Sequence, residues 1–185
     1  MILLKAQIYG GPNMIKIIGC IVILGASTIA GFIYSERLKY RVFQLNEVQR
    51  AIYQLQNEIT YVHTLLPDAF KSVAYKSKEP IRELFNKTSE LLTENEYENV
   101  YEAMKSAMNL IKNRIYLTPD DINVILDLSK TLGESDIDGQ NSIFLLTIAN
   151  IKKQIRISEE FMVKNMKMYR YLGFTFGAMI VIALI

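Results

Sequence analysis

The sequence is poor in the residue types that carry most protein chemistry: it has one cysteine, Cys20, one histidine, His63, and no tryptophan. A single thiol excludes an internal disulfide framework and a zinc site built from thiolates, and it suits a reducing compartment. With Cys20 inside an apolar run, neither a Ser-His-Asp nor a Cys-His mechanism can be assembled readily. Glu58 and His63 stand five residues apart and share no helical face, so they form a poor metal pair. No glycine-rich loop ending in GK[ST] is present, which excludes a P-loop ATPase. An excess of charge is lacking too: 21 Lys and Arg stand against 19 Asp and Glu, a net charge of +2. No nucleic-acid platform follows from that balance.

What the sequence has is apolar residues, concentrated at its ends. Met14 to Tyr34 reads MIKIIGCIVILGASTIAGFIY, which supplies the ~20 residues a helix needs to cross the ~30 Å hydrocarbon core. A cleavable signal peptide is the competing reading, because Lys16 precedes the apolar stretch and Gly25, Ala26 and Ser27 could imitate a cleavage site. The helical pattern running straight out of the segment favours a retained transmembrane helix over 14–34. Its small residues, spaced Gly25-x-x-x-x-Ala30 and Ser27-x-x-x-Gly31, could admit a second helix closely, although small residues are common in membrane helices generally. Residues 1–13 end in a Gly10-Gly11-Pro12 break before Met14, itself a candidate start, and read as an extension needing no function.

At the other end, Tyr169 to Ile185 reads YRYLGFTFGAMIVIALI, with no charge after Arg170. A short C-terminal transmembrane helix is expected over 171–185, needing tilt, local thinning or a partner helix to span; a re-entrant or monotopic anchor is the alternative. Arg37, Lys39 and Arg41 follow the first segment, and Lys164, Lys167 and Arg170 precede the second. Retention of basic residues on the inner side therefore predicts a cytoplasmic domain over 35–170.

Within that domain, Leu45, Val48, Ile52, Leu55, Ile59, Val62 and Leu66 form a heptad stripe on one long helix ending at Pro67. Glu47, Arg50, Gln54, Gln56 and Glu58 are assigned to its solvated face. The stripe could pair with a second copy; packing on the chain's own helices is the simpler reading. Pro80 opens a helix with Ile81, Leu84, Phe85, Leu91 and Leu92 inward. Tyr97, Val100, Tyr101, Met104, Met108 and Ile111 mark another from about Glu96 to Ile115. Thr118-Pro119-Asp120-Asp121 is a strong start signal for a helix burying Ile122, Ile125, Leu126, Leu128 and Leu132 and closing at Gly133. The last begins near Asp138 or Gln140, carries Ile143, Leu146, Ile148, Ile151, Ile155 and Met162, and merges with the terminal apolar run. The expected fold is all-α: an antiparallel helical bundle between an N-terminal and a short C-terminal transmembrane helix.

Motifs for chemistry are weak. Asp136-Ile137-Asp138-Gly139 has its glycine too early for a calcium loop, and Thr147 replaces the bidentate acid. Asn86-Lys87-Thr88 matches a glycosylation sequon, which is irrelevant in a cytoplasmic domain. Glu58, Asp68, Asp120, Asp121 and Asp136 are the acids a membrane enzyme of unfamiliar type would draw on. No enzyme activity, metal or cofactor is expected.

Two blocks carry a family resemblance: Glu58-Ile59-Thr60-Tyr61-Val62-His63-Thr64-Leu65-Leu66-Pro67-Asp68-Ala69, and Leu128-Ser129-Lys130-Thr131-Leu132-Gly133-Glu134-Ser135-Asp136 followed by Gln140. Their order and spacing resemble the stage III sporulation protein AB family of endospore-forming bacteria. Two departures stand out: the family's compact T-P-L is Thr64-Leu65-Leu66-Pro67 here, and Ser129 replaces the first of two paired glycines. The resemblance implies a component of the channel between mother cell and forespore, in the membrane around the forespore. It also implies a domain similar to type II secretion inner-membrane F proteins, with membrane lipid, other channel components and the secretion-type ATPase stage III sporulation protein AA as partners. Glu58, Tyr61, His63, Thr64, Pro67, Asp68, Gly133 and Asp136 are the candidate partner interface. A helical scaffold dimerising through the heptad stripe is the alternative, and homo-oligomers fit either reading.

Overall fold

The computed structural model describes residues 11–132 and 137–184. The described residues form six α-helices and one 3-10 turn, with no strand among them: α1 (Gly11–Thr60), α2 (Leu66–Lys76), α3 (Ile81–Thr93), α4 (Val100–Leu110), the turn Lys112–Arg114, α5 (Pro119–Thr131) and α6 (Ile137–Leu184). The all-α bundle expected from the sequence is the fold observed. Two compact units divide the chain, one made of residues up to Lys39 with those from Glu160 onward, the other of Tyr40–Glu159; α1 and α6 contribute to both.

Local signals place most helix ends of the Tyr40–Glu159 unit. Thr118 accepts from the Asp121 amide while Asp121 accepts from the Thr118 amide at 2.8 Å, a complete capping box, which satisfies donors that the first turn otherwise leaves bare. Asn99 caps α4 by accepting from the Glu102 amide at 2.9 Å. Asn95, at φ 55°, closes α3: its N–H donates to the Leu92 carbonyl and the Glu96 N–H to the Leu91 carbonyl. That bond pair is a Schellman cap, with asparagine in the left-handed position glycine usually takes.

The connections between α2, α3, α4 and α5 are short, so these helices pack in succession. Leu45, Val48, Ile52 and Leu55 of α1 are buried with Phe70 and Val73 of α2, Leu84 and Phe85 of α3, Met104 of α4, Ile125 and Leu128 of α5, and Phe144, Ile148 and Ile151 of α6. The Phe70 and Phe85 rings lie 5.6 Å apart in a tilted pair, a favourable arrangement for aromatic quadrupoles. The heptad stripe is therefore used by the chain's own helices, which leaves these side chains no face for a second copy.

Several sequence-based expectations are corrected. The long helix ends at Thr60, so Val62 leaves the stripe and is 59 % exposed, and Leu66 opens a separate helix. His63, at φ 58°, turns the chain there, and Leu65, at φ −59° and ψ 144°, is the non-helical residue before the next helix, with Pro67 in its first turn. The sequence reading missed α2, although Pro67 near its start and Asp68 in its first turn are the signals that located α5. Glu47 and Glu58 do not lie on a solvated face; both are buried. Glu47 accepts from the Lys78 amide and Arg50, and these partners make burial of the charge tolerable. The helix expected over Glu96–Ile115 is shorter, because Asn99 caps it and the 3-10 turn follows. Leu146 is 63 % exposed rather than in the core, which α6 reaches through the expected Ile148, Ile151 and Ile155 and through Phe144. Gly133, the expected stop of α5, lies outside the described residues.

In the other unit, α1 is the described helix long and apolar enough to cross a membrane, and none of its apolar window is buried. The end of α6 lies beside it. A Cβ placed on Gly31 would stand 2.8 Å from the Tyr169 carbonyl oxygen, and one on Gly177 2.0 Å from the Ser27 hydroxyl. Ser27-x-x-x-Gly31 does admit a second helix, although the general abundance of small residues in membrane helices is the explanation its spacing alone favours, and its mate is Gly173-x-x-x-Gly177, which the sequence reading passed over.

Candidate functional site

The candidate interface residues fall into two kinds at the α1–α2 connection. Glu58 and Thr64 face inward and build the turn. The Glu58 carboxylate accepts from the Ser72 hydroxyl at 2.6 Å, the Thr64 hydroxyl at 3.1 Å and the Lys76 ammonium at 3.1 Å. Its backbone carbonyl also accepts from the Thr64 amide at 2.9 Å. One buried glutamate therefore ties the last turn of α1 to the turn itself and to two positions on α2. The Ser72 hydroxyl bond, then the Lys76 ammonium, hold its carboxyl below the ordinary value of 4.5; burial opposes them, and Thr64 adds to the lowering.

Tyr61, His63 and Asp68 face outward. Tyr61 is 71 % exposed, and Val62 and Leu65 accompany it as uncovered apolar side chains. Pro67 is half-buried, and its carbonyl accepts from the Ser89 hydroxyl at 2.8 Å, fastening the start of α2 to α3. The result is a tip with a hydrogen-bonded turn and exposed apolar side chains, a combination suited to binding another protein. Gly133 and Asp136, the other two candidates, lie outside the described residues.

Beside the tip is a cleft of about 440 Å³ lined by Leu66 and Pro67 of α2, Leu92 of α3, Tyr97 and Asn99 of the α3–α4 connection, and Leu132. Tyr97 donates its hydroxyl to Ser106 Oγ at 3.2 Å, which orients that wall. The sequence reading placed Tyr97 on a helix and so missed it. The Glu94–Asn99 loop signal, acids and asparagines without apolar periodicity, could have found it.

Asp121, another of the candidate acids, has structural partners. It is fully buried and takes a two-point contact from Arg41, Nε to Oδ2 at 2.9 Å and Nη2 to Oδ1 at 3.1 Å. Arg41 reaches Thr118 as well, so the guanidinium and the capping box are one assembly. Among the described residues, no three His, Cys, Asp or Glu side chains gather as a metal site would require.

The match to the family model for stage III sporulation protein AB covers residues 16–185. Stage III sporulation protein AB of Bacillus subtilis (strain 168) is 27 % identical over 175 residues, spanning 92 % of this chain and 99 % of that protein. A solved structure of stage III sporulation protein AB has a TM-score of 0.62 at 22 % identity, covering 66 % of this chain and 96 % of that one; it speaks to the fold. With the family model matched along nearly its whole length, this chain belongs to the stage III sporulation protein AB family.

Proposed function

We propose that the chain is a non-enzymatic membrane component of the sporulation channel between mother cell and forespore, a platform on which a secretion-type ATPase docks. In this reading α1 and the C-terminal part of α6 anchor it in the membrane around the forespore. The Tyr40–Glu159 unit lies in the cytoplasm, where the flanking basic residues would hold it. The partner is the ATPase whose association the family resemblance implies, stage III sporulation protein AA, and the likeness to type II secretion inner-membrane F proteins belongs to the same reading.

The observation that carries it is the continuity of α1. One hydrogen-bonded helix holds the apolar membrane-length stretch, supplies the buried stripe Leu45–Leu55, and ends beneath the exposed tip at Tyr61–Leu65. Catalysis is disfavoured by the candidate acids themselves: Glu58 and Asp121, two of the five singled out, are buried and engaged in structural bonds.

The test is nucleotide turnover of the purified ATPase with and without the full chain in nanodiscs. Addition of the chain is expected to change turnover and to co-sediment the ATPase, and Tyr61→Ala with Leu65→Ala is expected to weaken both without lowering the unfolding temperature. Failure of the parent chain to bind the ATPase or alter its turnover overturns the proposal.

A further inference from the structure

We propose that the C-terminal helix is a dependent membrane segment, which enters the bilayer seated on the N-terminal helix of its own chain; this rests on the membrane reading above. Among the described residues, α1 carries a stretch long and apolar enough to cross a membrane, and α6 carries none that meets the same test. The apolar stretch of α1 reaches across without help. A weaker segment beside a strong one shares the bilayer the strong one already crosses, so its deficit is met by helix packing rather than by lipid deformation alone.

The packing in the unit is specific. A Cβ on Gly173 would lie 2.8 Å from the Ser27 carbonyl oxygen and 3.0 Å from the Gly31 Cα, and the reciprocal contacts hold at Gly31. Gly19 and Gly25, on the same apolar stretch, meet nothing within 4 Å. Small residues are therefore used on one face only, which general abundance of glycine in membrane helices does not explain. Because lipid is as apolar as leucine, close backbone approach of this kind is what holds helices together in a bilayer. The outward faces carry the bulk instead: Ile21, Val22 and Ile29 on one helix, Phe174, Phe176 and Met179 on the other, all more than half exposed.

A polar clasp fixes the register at one end. Arg170 Nε donates to the buried Ser35 hydroxyl at 3.2 Å, and its Nη2 lies 3.5 Å from Glu36, which also takes Lys39 at 2.7 Å. The Tyr34 and Tyr169 rings stand 4.6 Å apart at the same level. Aromatic and basic side chains belong at the membrane interface, so the clasp sets the depth at which the short helix starts.

Two experiments on the full chain in cell membranes, with Cys20→Ser throughout, test this. In the first, a protease site is placed in the 61–65 turn and cysteines are paired as Ser27→Cys with Gly177→Cys, or outward as Ile21→Cys with Met179→Cys. After oxidation and cleavage, the inward pair is expected to keep the two fragments joined within one chain and the outward pair to release them. Equal joining by both pairs, or joining of the inward pair only between chains, overturns the proposal. In the second, Gly173→Leu with Gly177→Leu is expected to raise labelling of Ile182→Cys by an impermeant maleimide several-fold while the protein stays membrane-bound through α1. Unchanged labelling counts against dependence. Release of the parent chain by alkaline carbonate would instead overturn the membrane reading, and the dependent span with it.

Discussion

Replacing Glu58 should uncouple the tip from the bundle, and the size of the effect follows from its three partners. Hydrogen bonds to a charged group contribute about 1.5–3 kcal/mol each net of the competing water, and less where the partner can turn to solvent. Lys76 is half exposed, its side chain 51 % accessible, and returns to solvent at little cost, about 0–1 kcal/mol. Ser72 and Thr64 are half-buried and lose their acceptor. Glu58→Ala should therefore cost about 2–3 kcal/mol and Glu58→Gln, which keeps one acceptor oxygen, about 1–2 kcal/mol. For a unit of about 120 residues, 2–3 kcal/mol lowers the midpoint by roughly 6–12 °C. Thermal unfolding of the full chain in detergent, followed by near-ultraviolet circular dichroism of the tyrosines, reads it out. Since the Glu58 carboxyl is held below 4.5 in the folded chain, its charge contributes fully above that value and is lost as the pH falls through the folded pKa. The gap between parent and Glu58→Gln should thus be constant from pH 7 to 5.5 and shrink below about 4.5. A midpoint for Glu58→Ala within a degree of the parent, a gap that widens on acidification, or full additivity with Ser72→Ala would refute the reasoning.

Two further substitutions probe the parts that hold the site. Asp121→Ala leaves Arg41 without its two-point partner and removes half of the capping box, so denaturant titration should show a loss of about 2–4 kcal/mol against about 1 kcal/mol for Thr118→Ala; equal losses would show that the ion pair contributes nothing. His63→Gly and Asn95→Gly should leave stability unchanged or raise it by up to about 1 kcal/mol, whereas valine at either position should cost about 1–2 kcal/mol, because both residues hold positive φ. Valine variants as stable as the glycine variants would rule out backbone strain as the cause.

The sequence alone determined the features that are local. Thr118-Pro119-Asp120-Asp121 specified a helix start whatever surrounds it, because the cap closes within four residues. The apolar stretch Met14–Tyr34 and the spacing of Leu45, Val48, Ile52 and Leu55 likewise announced a long apolar helix and a core stripe, since periodicity is a property of neighbours in the chain. Tertiary structure decided the rest. Arg41 looked like one more flanking basic residue until it met Asp121 eighty positions away, and Glu58 read as a surface glutamate until α2 folded back to give it Ser72 and Lys76. Val62 and Leu66 fit the heptad as well as Leu55 does, yet the helix stops before them because the turn is stabilised from outside it. Among the small residues, Gly25 and Gly31 are indistinguishable by composition, and only the arrival of Gly173 makes the second one necessary. Local chemistry is legible because each signal carries its own partner within a few residues; a long-range partner must be brought into place by the fold before the same side chain acquires its role.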